Sequence, residues 1–118
     1  ARNLALQGAD LILVPTANMK PFDSVATRLV PARAEENAVY LAYANYAGTE
    51  GVFDYGGLSC ICASDGTDLA RADRDAPDLL FATLDHAALA ACRELQNHRA
   101  DRRPELYERL ITKGPTHE

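Results

Sequence analysis

The chain has 118 residues, of which 12 are Lys or Arg and 17 are Asp or Glu, so its formal net charge is -5. This negative balance argues against a nucleic-acid partner, because nucleic acids bind clustered positive charge. The longest apolar run, residues 38–44, is far shorter than the roughly 20 residues that span a bilayer. With a hydrophobic content of 47%, the composition predicts a packed, acidic, globular protein of mixed α and β structure. We also expect a cytoplasmic protein with no membrane partner.

The first residues carry the pattern of a helix end. The chain starts at Ala1 without a methionine or a signal-peptide pattern, and apolar residues recur at helical spacing up to Gly8. Gly8 is suited to the C-cap of such a helix. We therefore expect a sequence cut inside or just before a helix. The alternative is a processed N-terminus that happens to start on one.

A strand is predicted next. Residues 11–14 are four consecutive apolar residues, which is typical of a strand buried on both faces. Pro15 cannot donate to a sheet ladder, so the strand should end there. Residues 16–21 follow as a loop.

Two consecutive helical segments should come after this loop. Asp23 or Ser24 is placed to cap the first, because short polar side chains accept hydrogen bonds from the free N–H groups at a helix start. Pro31 should break or kink that helix and serve as the first residue of a second segment, residues 32–38.

The middle of the chain has the signals of strands joined by tight turns. Strands are predicted over residues 40–46, 57–63 and 79–84, and residues 69–72 are expected to pair back on the second of them. Turns are predicted at residues 49–51 and at Ser64-Asp65-Gly66, where the second is a hairpin signal.

The last third of the chain is predicted to be mainly helical. Asp85 should cap a helix over residues 86–96, and residues 105–111 are a short helical candidate. The apolar face of the first helix would carry Ala88, Leu89, Ala91, Cys92 and Leu95. The order of helices and strands suits an α/β layered fold with a mixed sheet.

The cysteines do not form a recognisable metal site or nucleophile. Cys60 and Cys62 project from one face of a strand, since side chains alternate, but the further ligands that zinc needs do not lie nearby in sequence. We expect these two, and Cys92 on the inner face of its helix, to act as small hydrophobes. No serine stands in a nucleophile elbow and no phosphate-binding loop is present. We therefore expect no metal and no cofactor.

A cluster of polar residues on one short helix is the other candidate for chemistry. Arg33 and Glu36 are three residues apart and can pair on one helix face. Such carboxylates can serve acid–base catalysis or lie on a solvated face, but the apolar residues that follow favour a structural network. Asn37 and Asn45 flank a hydrophobic strand, and buried amides there would need partners.

Five motifs stand in order along the chain. They are residues 6–18, Arg33-Ala34-Glu35-Glu36-Asn37, Asn45-Tyr46-Ala47-Gly48, residues 55–61 with Asp65-Gly66, and residues 101–107. Each is weak alone. Together they resemble the carbon–nitrogen hydrolases of the nitrilase superfamily: the stretch after the nucleophile elbow, an Arg-Ala-x-Glu-Asn helix, an Asn-x-x-Gly strand end, a Gly-x-Ser-x-Ile hairpin and a closing Arg-Arg-Pro-x-x-Tyr segment.

The resemblance implies hydrolysis of an amide or nitrile through a thioester at a cysteine, with a lysine that stabilises the oxyanion and a glutamate as general base. In the family these three residues precede the helix with which this chain begins. None of Cys60, Cys62 and Cys92 matches the family cysteine, so we expect no catalytic residue here.

The resemblance also implies an architecture, a four-layer α-β-β-α sandwich with a mixed sheet that forms homodimers or larger homo-oligomers. Residues 1–110 would be the C-terminal portion of that domain, and residues 111–118 a tail. The charged segment of residues 99–109 would be a subunit contact or a solvated tail.

Two groups of residues acquire roles by the resemblance. The first would line the substrate pocket at the carboxyl end of a strand, where ligands bind in such sheets: Thr16, Ala17 and Asn18. An ordinary exit from strand to loop is the alternative reading of these three. The second would form an internal polar network: Arg33, Glu36, Asn37 and Asn45.

Three hypotheses for function follow. The first is an amidase-like or nitrilase-like hydrolase of a small amide, nitrile or carbamoyl compound, in which these 118 residues alone are inactive. The others are a non-catalytic binding or assembly module, and a glutaminase domain of an amidotransferase, which would need a further domain after Glu118. We also expect poor stability in isolation, because half of a two-sheet sandwich exposes an apolar sheet face.

Overall fold

The computed structural model of the chain describes residues 1–111. Its helices are α1 (Arg2–Leu6), α2 (Val30–Asn37), α3 (His86–Leu95) and α4 (Glu108–Ile111), with a π-helical turn over Val25–Leu29 and a 3₁₀ turn over Pro104–Leu106. Its strands are β1 (Leu11–Thr16), β2 (Tyr40–Asn45), β3 (Ala47–Glu50), β4 (Phe53–Gly56), β5 (Cys60–Cys62) and β6 (Asp68–Arg71). Most of the expected tail lies outside the described residues.

Helix α1 ends in a Schellman motif at Gly8. Gly8 has a φ of 96° and donates its N–H to the carbonyl of Ala5, while the N–H of Ala9 reaches back to the carbonyl of Leu4, both at 3.1 Å. Glycine adopts this left-handed conformation without the strain that a Cβ would bring. The predicted helix end and its glycine cap are confirmed.

The strands form a mixed four-stranded sheet in the order β1-β2-β5-β6. β1 and β2 are parallel, with Thr16 opposite Asn45 at their carboxyl ends. β5 is antiparallel to β2, and β6 to β5. The helical segment between β1 and β2 supplies the crossover that a parallel pair requires. The predicted α/β class with a mixed sheet is confirmed.

Strand β1 departs from its prediction in two ways. It continues through Pro15 to Thr16, because β1 is an edge strand among the described strands and an edge tolerates a residue that lacks an N–H. Its burial alternates, since Ile12 is 5% exposed and Leu13 is 68% exposed. The expectation of burial on both faces is therefore wrong for the described chain.

The helical stretch before β2 is continuous. The π-helical turn passes directly into α2, and Pro31 lies in the first turn of α2, where its missing N–H is tolerated. Pro31 therefore does not break the helix. The predicted caps are wrong, because the side chain of Ser24 makes no capping bond and the carboxylate of Asp23 is bound by Arg74 instead.

A second, two-stranded sheet was not indicated by the sequence. β3 and β4 are antiparallel, and Glu50 lies opposite Phe53 across a turn that contains Gly51. The turn predicted over residues 49–51 therefore begins later, and its first two residues belong to β3. The short strands carry little apolar alternation, which is why the pattern did not reveal them.

Strand β5 is shorter than predicted. Gly57 and Leu58 have φ values of 56° and 58°, outside the extended region, so the strand begins only at Cys60. The hairpin predicted at Ser64-Asp65-Gly66 is confirmed, since β5 and β6 pair across it.

Residues 79–84 do not form a strand. They belong to neither described sheet, and Leu79 and Phe81 are 74% and 79% exposed. An apolar run alone does not supply the neighbouring edge that a strand needs, so this prediction is wrong.

Helix α3 begins where it was predicted. The carboxylate of Asp85 accepts a hydrogen bond of 2.7 Å from the N–H of Ala87, as an N-cap does. The prediction of its inner face is mostly wrong. Leu89 is buried as expected, but Leu95, which was assigned to the same face, is 85% exposed. Cys92 is half-buried. In the described part of the chain, no helix combines the length and the apolarity needed to cross a membrane.

The core is one layer of side chains between the helices and one face of the sheet. Its members include Ala34, Val39, Leu41, Tyr43, Cys60 and Cys62. The principal dimensions of the chain are 51 × 46 × 18 Å, so it is a helix layer on a sheet layer. The other face of the sheet presents Leu13 to solvent, which is the apolar face expected of half a sandwich.

Candidate functional site

The site lies where the two parallel strands end. Thr16 closes β1 and Asn45 closes β2, opposite each other in the register. An open groove of about 200 Å³ runs along this edge, lined by Pro15, Thr16, Ala44, Asn45 and Tyr46. Ligands of open α/β sheets bind outside the carboxyl ends of strands, so this groove is the candidate site.

An interlock of two asparagines fixes the edge of the groove. The side-chain oxygen of Asn45 accepts the N–H of Asn18 at 2.7 Å, and the Asn45 amide nitrogen donates to the carbonyl of Asn18 at 3.1 Å. The same nitrogen donates to the carbonyl of Gly57 at 3.0 Å. One amide therefore ties together the loop after β1, the end of β2 and the segment before β5.

Two further bonds hold this interlock in place. Asn18 donates its side-chain N–H to the hydroxyl of Tyr43 at 2.9 Å, and burial raises the pKa of that phenol. The hydroxyl of Ser59 accepts the backbone N–H of Asn45 at 3.0 Å and lies 3.2 Å from the Asn45 carbonyl, to which it donates. The polar groups beside the groove are thus preorganised by the fold.

The three residues expected at the substrate pocket differ in their surroundings. Thr16 is half-buried and lines the groove. Ala17 is exposed at the start of the loop. Asn18 uses its side-chain nitrogen and both backbone groups in bonds to Tyr43, Asn45 and Gly56, so it holds the loop in place.

The expected internal network divides into two. Arg33 donates to Glu36 at 2.6 Å and lowers the pKa of that carboxyl, and the Asn37 amide donates to the carbonyl of Arg33 at 2.7 Å. This group lies on α2, whereas Asn45 belongs to the interlock. The Arg33 side chain is 55% exposed, so the Arg33–Glu36 pair is at the surface and not internal. Only Asn37 is buried, with its side-chain oxygen lacking a hydrogen-bond partner in the described structure.

A contact across the chain was missed by sequence reasoning. Arg74 binds both carboxylate oxygens of Asp23 at 2.6 Å, and the backbone of Arg74 packs directly on Gly57. The signal in the sequence was the pair Gly56-Gly57, which is not a phosphate loop but lets two segments approach closely. Lys20 joins the same region through Asp75 at 2.8 Å and Asp54 at 3.2 Å.

The thiols of β5 lie on its buried face and do not line the groove. Cys60 and Cys62 have their sulfurs 3.8 Å apart, and the Cys62 sulfur is 3.5 Å from a carboxylate oxygen of Asp68. The hydrogen bond between the two thiols lowers the pKa of Cys60 and raises that of Cys62, with burial and the Asp68 carboxylate raising the latter further. Such a pair does not present an exposed thiolate to a substrate.

Comparison with known proteins gives one consistent result. Residues 1–94 match the carbon–nitrogen hydrolase family. The chain is 52% identical over 110 residues to the "Hydrolase in pqqF 5'region" of Pseudomonas protegens, and 36% identical over 124 residues to a citrullinase of Francisella tularensis. These alignments cover 93% and 96% of this chain, but 38% and 43% of the two relatives.

Similarity to solved structures points to the same family. An amidase of the nitrilase superfamily from Nesterenkonia sp. AN1 is 37% identical and superposes with a TM-score of 0.78, over 93% of this chain and 38% of that one. This similarity shows that the chain has an α/β fold of the nitrilase type. The chain belongs to the carbon–nitrogen hydrolase family, and it spans about two fifths of the length of the relatives described above.

Proposed function

We propose that this chain forms one wall of the active site of an amidase-like or nitrilase-like enzyme, which hydrolyses a non-peptide C–N bond of a small amide, nitrile or carbamoyl compound. The observation that carries the proposal is the interlock of Asn18 and Asn45, which fixes the loop after Thr16 beside the groove. The names of the relatives support the substrate class: one is a citrullinase, and the solved amidase structures include a mutant in complex with butyramide and a double mutant in complex with acrylamide.

The chemistry we propose is a cysteine thioester. A mutant of the Nesterenkonia amidase shows covalent addition of the acetamide moiety of fluoroacetamide at the active-site cysteine. With an amide, the thiolate attacks the carbonyl carbon, the C–N bond breaks as the nitrogen takes up the proton that the thiol gave up and leaves as ammonia, and water then hydrolyses the thioester to the acid and restores the thiol. The role of this chain is to position the substrate against that thiolate and to limit the water that reaches it.

The contacts of this chain's own side chains favour a nucleophile from outside these 118 residues. Cys60 and Cys62 face each other, Cys92 contacts the carbonyl of Ser64 at 3.2 Å, and Lys20 is held by two aspartates. None of these contacts resembles a nucleophile paired with a base. We accordingly propose that the chain alone is inactive. From the family resemblance we also propose that the active form is a cytoplasmic homo-oligomer.

Ammonia release tests the proposal. The 118-residue chain and a longer form that contains a family-type cysteine ahead of Ala1 are assayed with butyramide, acrylamide, a small nitrile, citrulline and glutamine. We expect release only from the longer form, and its loss when that cysteine is replaced by alanine. Cysteine-dependent activity in the short chain would overturn the assignment. Activity with glutamine alone would favour a glutaminase, and no activity in a complete protein lacking that cysteine would favour a binding module.

A further inference from the structure

A cluster of metal-type ligands lies on the helix-facing side of the sheet. The Cys60 and Cys62 sulfurs and one Asp68 carboxylate oxygen all lie within 4.8 Å of one another. The sequence suggested no third ligand for the two thiols. The hairpin between β5 and β6 supplies it, because it places Asp68 opposite Cys62 in the ladder.

The spacing of the sulfurs fits a shared ion. Zinc binds thiolates at about 2.3 Å, and two such bonds at the tetrahedral angle separate the sulfurs by about 3.8 Å. The observed separation between the Cys60 and Cys62 sulfurs is 3.8 Å. The Asp68 oxygen, 3.5 Å from the Cys62 sulfur, lies at a third corner of the same site.

The charges around the cluster also balance for a divalent ion. Arg71 binds Asp68 through its Nε at 2.5 Å and through a terminal nitrogen at 2.8 Å, so the carboxylate is held by a second charged group. Two thiolates and one carboxylate carry three negative charges, which a divalent cation and the Arg71 guanidinium neutralise. Outer hydrogen bonds of this kind orient metal-binding carboxylates in proteins.

The site is closed on one side and open on the other. The Cys60 and Cys62 residues are 1% and 0% exposed, whereas the Asp68 side chain is 38% exposed. An ion can therefore enter past the carboxylate, while the sulfurs are kept in an apolar layer. Three protein ligands leave a fourth position for water.

We propose that Cys60, Cys62 and Asp68 bind one thiophilic divalent cation of the Zn²⁺ type, at a site distinct from the hydrolase groove. Binding forms two metal–sulfur bonds and one metal–oxygen bond and releases the two thiol protons, with no change of oxidation state. Because the ion joins β5 to β6, it stabilises this hairpin.

The test is titration of the purified protein with Zn²⁺ against a chromophoric chelator, under a reductant that is not a thiol. We expect one Zn²⁺ per chain. Cys60→Ser and Cys62→Ser should each weaken binding at least about tenfold, and Asp68→Asn by a smaller factor. Cys92→Ser is the matched control, because its sulfur contacts Ser64 instead, and it should bind Zn²⁺ like the unaltered protein.

A second measurement does not depend on whether the variants fold. Cd²⁺ added to the unaltered protein should produce a sulfur-to-metal charge-transfer band of two thiolates, and should release two protons per ion. Absence of both signals would overturn the proposal. Zn²⁺ binding that persists in folded Cys60→Ser and Cys62→Ser proteins would overturn it as well.

Discussion

Arg74 and Asp23 are joined by two parallel hydrogen bonds of 2.6 Å between guanidinium and carboxylate, across 51 residues of sequence. This pair fixes the loop after β6 against the start of the helical segment. It also presses the backbone of Arg74 onto Gly57, whose carbonyl accepts a bond from Asn45. The ion pair is therefore connected to the edge of the groove through a single glycine.

The ion pair predicts a stability that falls in acid. The Arg74 guanidinium holds the pKa of Asp23 below its usual value of 3.8. A carboxyl whose pKa is lower in the folded state contributes stability above its unfolded pKa, and that contribution is lost as pH falls through the folded pKa. We expect the melting temperature to drop below about pH 4, and Asp23→Asn to reduce both the melting temperature at neutral pH and this acid dependence. Melting curves recorded at several pH values measure this dependence of the melting temperature on pH.

The matched control for this ion pair is Asp101→Asn, which alters an exposed carboxylate in the last described segment. It should keep the acid dependence of the unaltered chain. If Asp23→Asn also keeps that dependence, the ion pair does not contribute as described.

Substitution of Gly57 and of Gly51 by alanine distinguishes the cost of a steric clash from the cost of backbone strain. Both have positive φ, 56° and 60°. A Cβ at Gly57 would lie 2.0 Å from the carbonyl oxygen of Arg74, whereas a Cβ at Gly51 would meet no atom within 4 Å. We expect Gly51→Ala to lower the free energy of unfolding by about 1 kcal/mol, and Gly57→Ala by about 3 kcal/mol or more. Urea denaturation compares them, and equal losses would contradict the close approach.

Asn45→Asp tests the interlock with almost no change of shape. The amide nitrogen that donates to the carbonyls of Asn18 and Gly57 is replaced by an oxygen, which places an acceptor against two acceptors. We expect the loss of these two half-buried hydrogen bonds to cost about 2 kcal/mol in unfolding free energy.

In an active form of the protein, Asn45→Asp should lower kcat/KM at least about tenfold, because the loop of Thr16 shifts. Asn97→Asp, at an exposed position, is the control. Unchanged kinetics and stability in Asn45→Asp would show that the interlock does not support the site.

Ile12 and Leu13 are neighbours on opposite faces of β1, so their substitution by threonine should have different effects on stability. Leu13→Thr removes apolar surface from a side chain that is 68% exposed, so the isolated 118-residue chain should become more soluble and change its unfolding free energy by less than about 0.5 kcal/mol. Ile12→Thr places a hydroxyl at a 5% exposed position and should cost about 2 kcal/mol or more. Light scattering and denaturation measure the two effects, and a reversed order would contradict the assignment of faces.

The parts of the fold that were predictable are those whose partners are near in sequence. Asp85 caps α3 through an N–H two residues away, and the sequence predicted it. Asp23 has the same capping chemistry but is bound by a guanidinium 51 residues away, which no local pattern indicates. Tertiary competition of this kind is the common reason why a good local signal fails.

The candidate site shows the same division. The resemblance to the hydrolases singled out Thr16, Asn18 and Asn45, but it assigned Asn45 to the network of Arg33. The structure instead pairs Asn45 with Asn18, because the parallel register brings the carboxyl ends of β1 and β2 together. Register is set by packing of whole strands, so the sequence could name these residues without showing which of them touch.

The shortest dimension of the chain, 18 Å, limits how deeply its backbone can be buried from water. Half of 18 Å is 9 Å, so the middle of the layer lies only about that far from either broad face. The buried residues thus form a thin layer and not a thick core. We expect slow hydrogen exchange to be confined to β2 and β5, the two described strands with ladder partners on both edges, so that these central strands report the global stability of the chain.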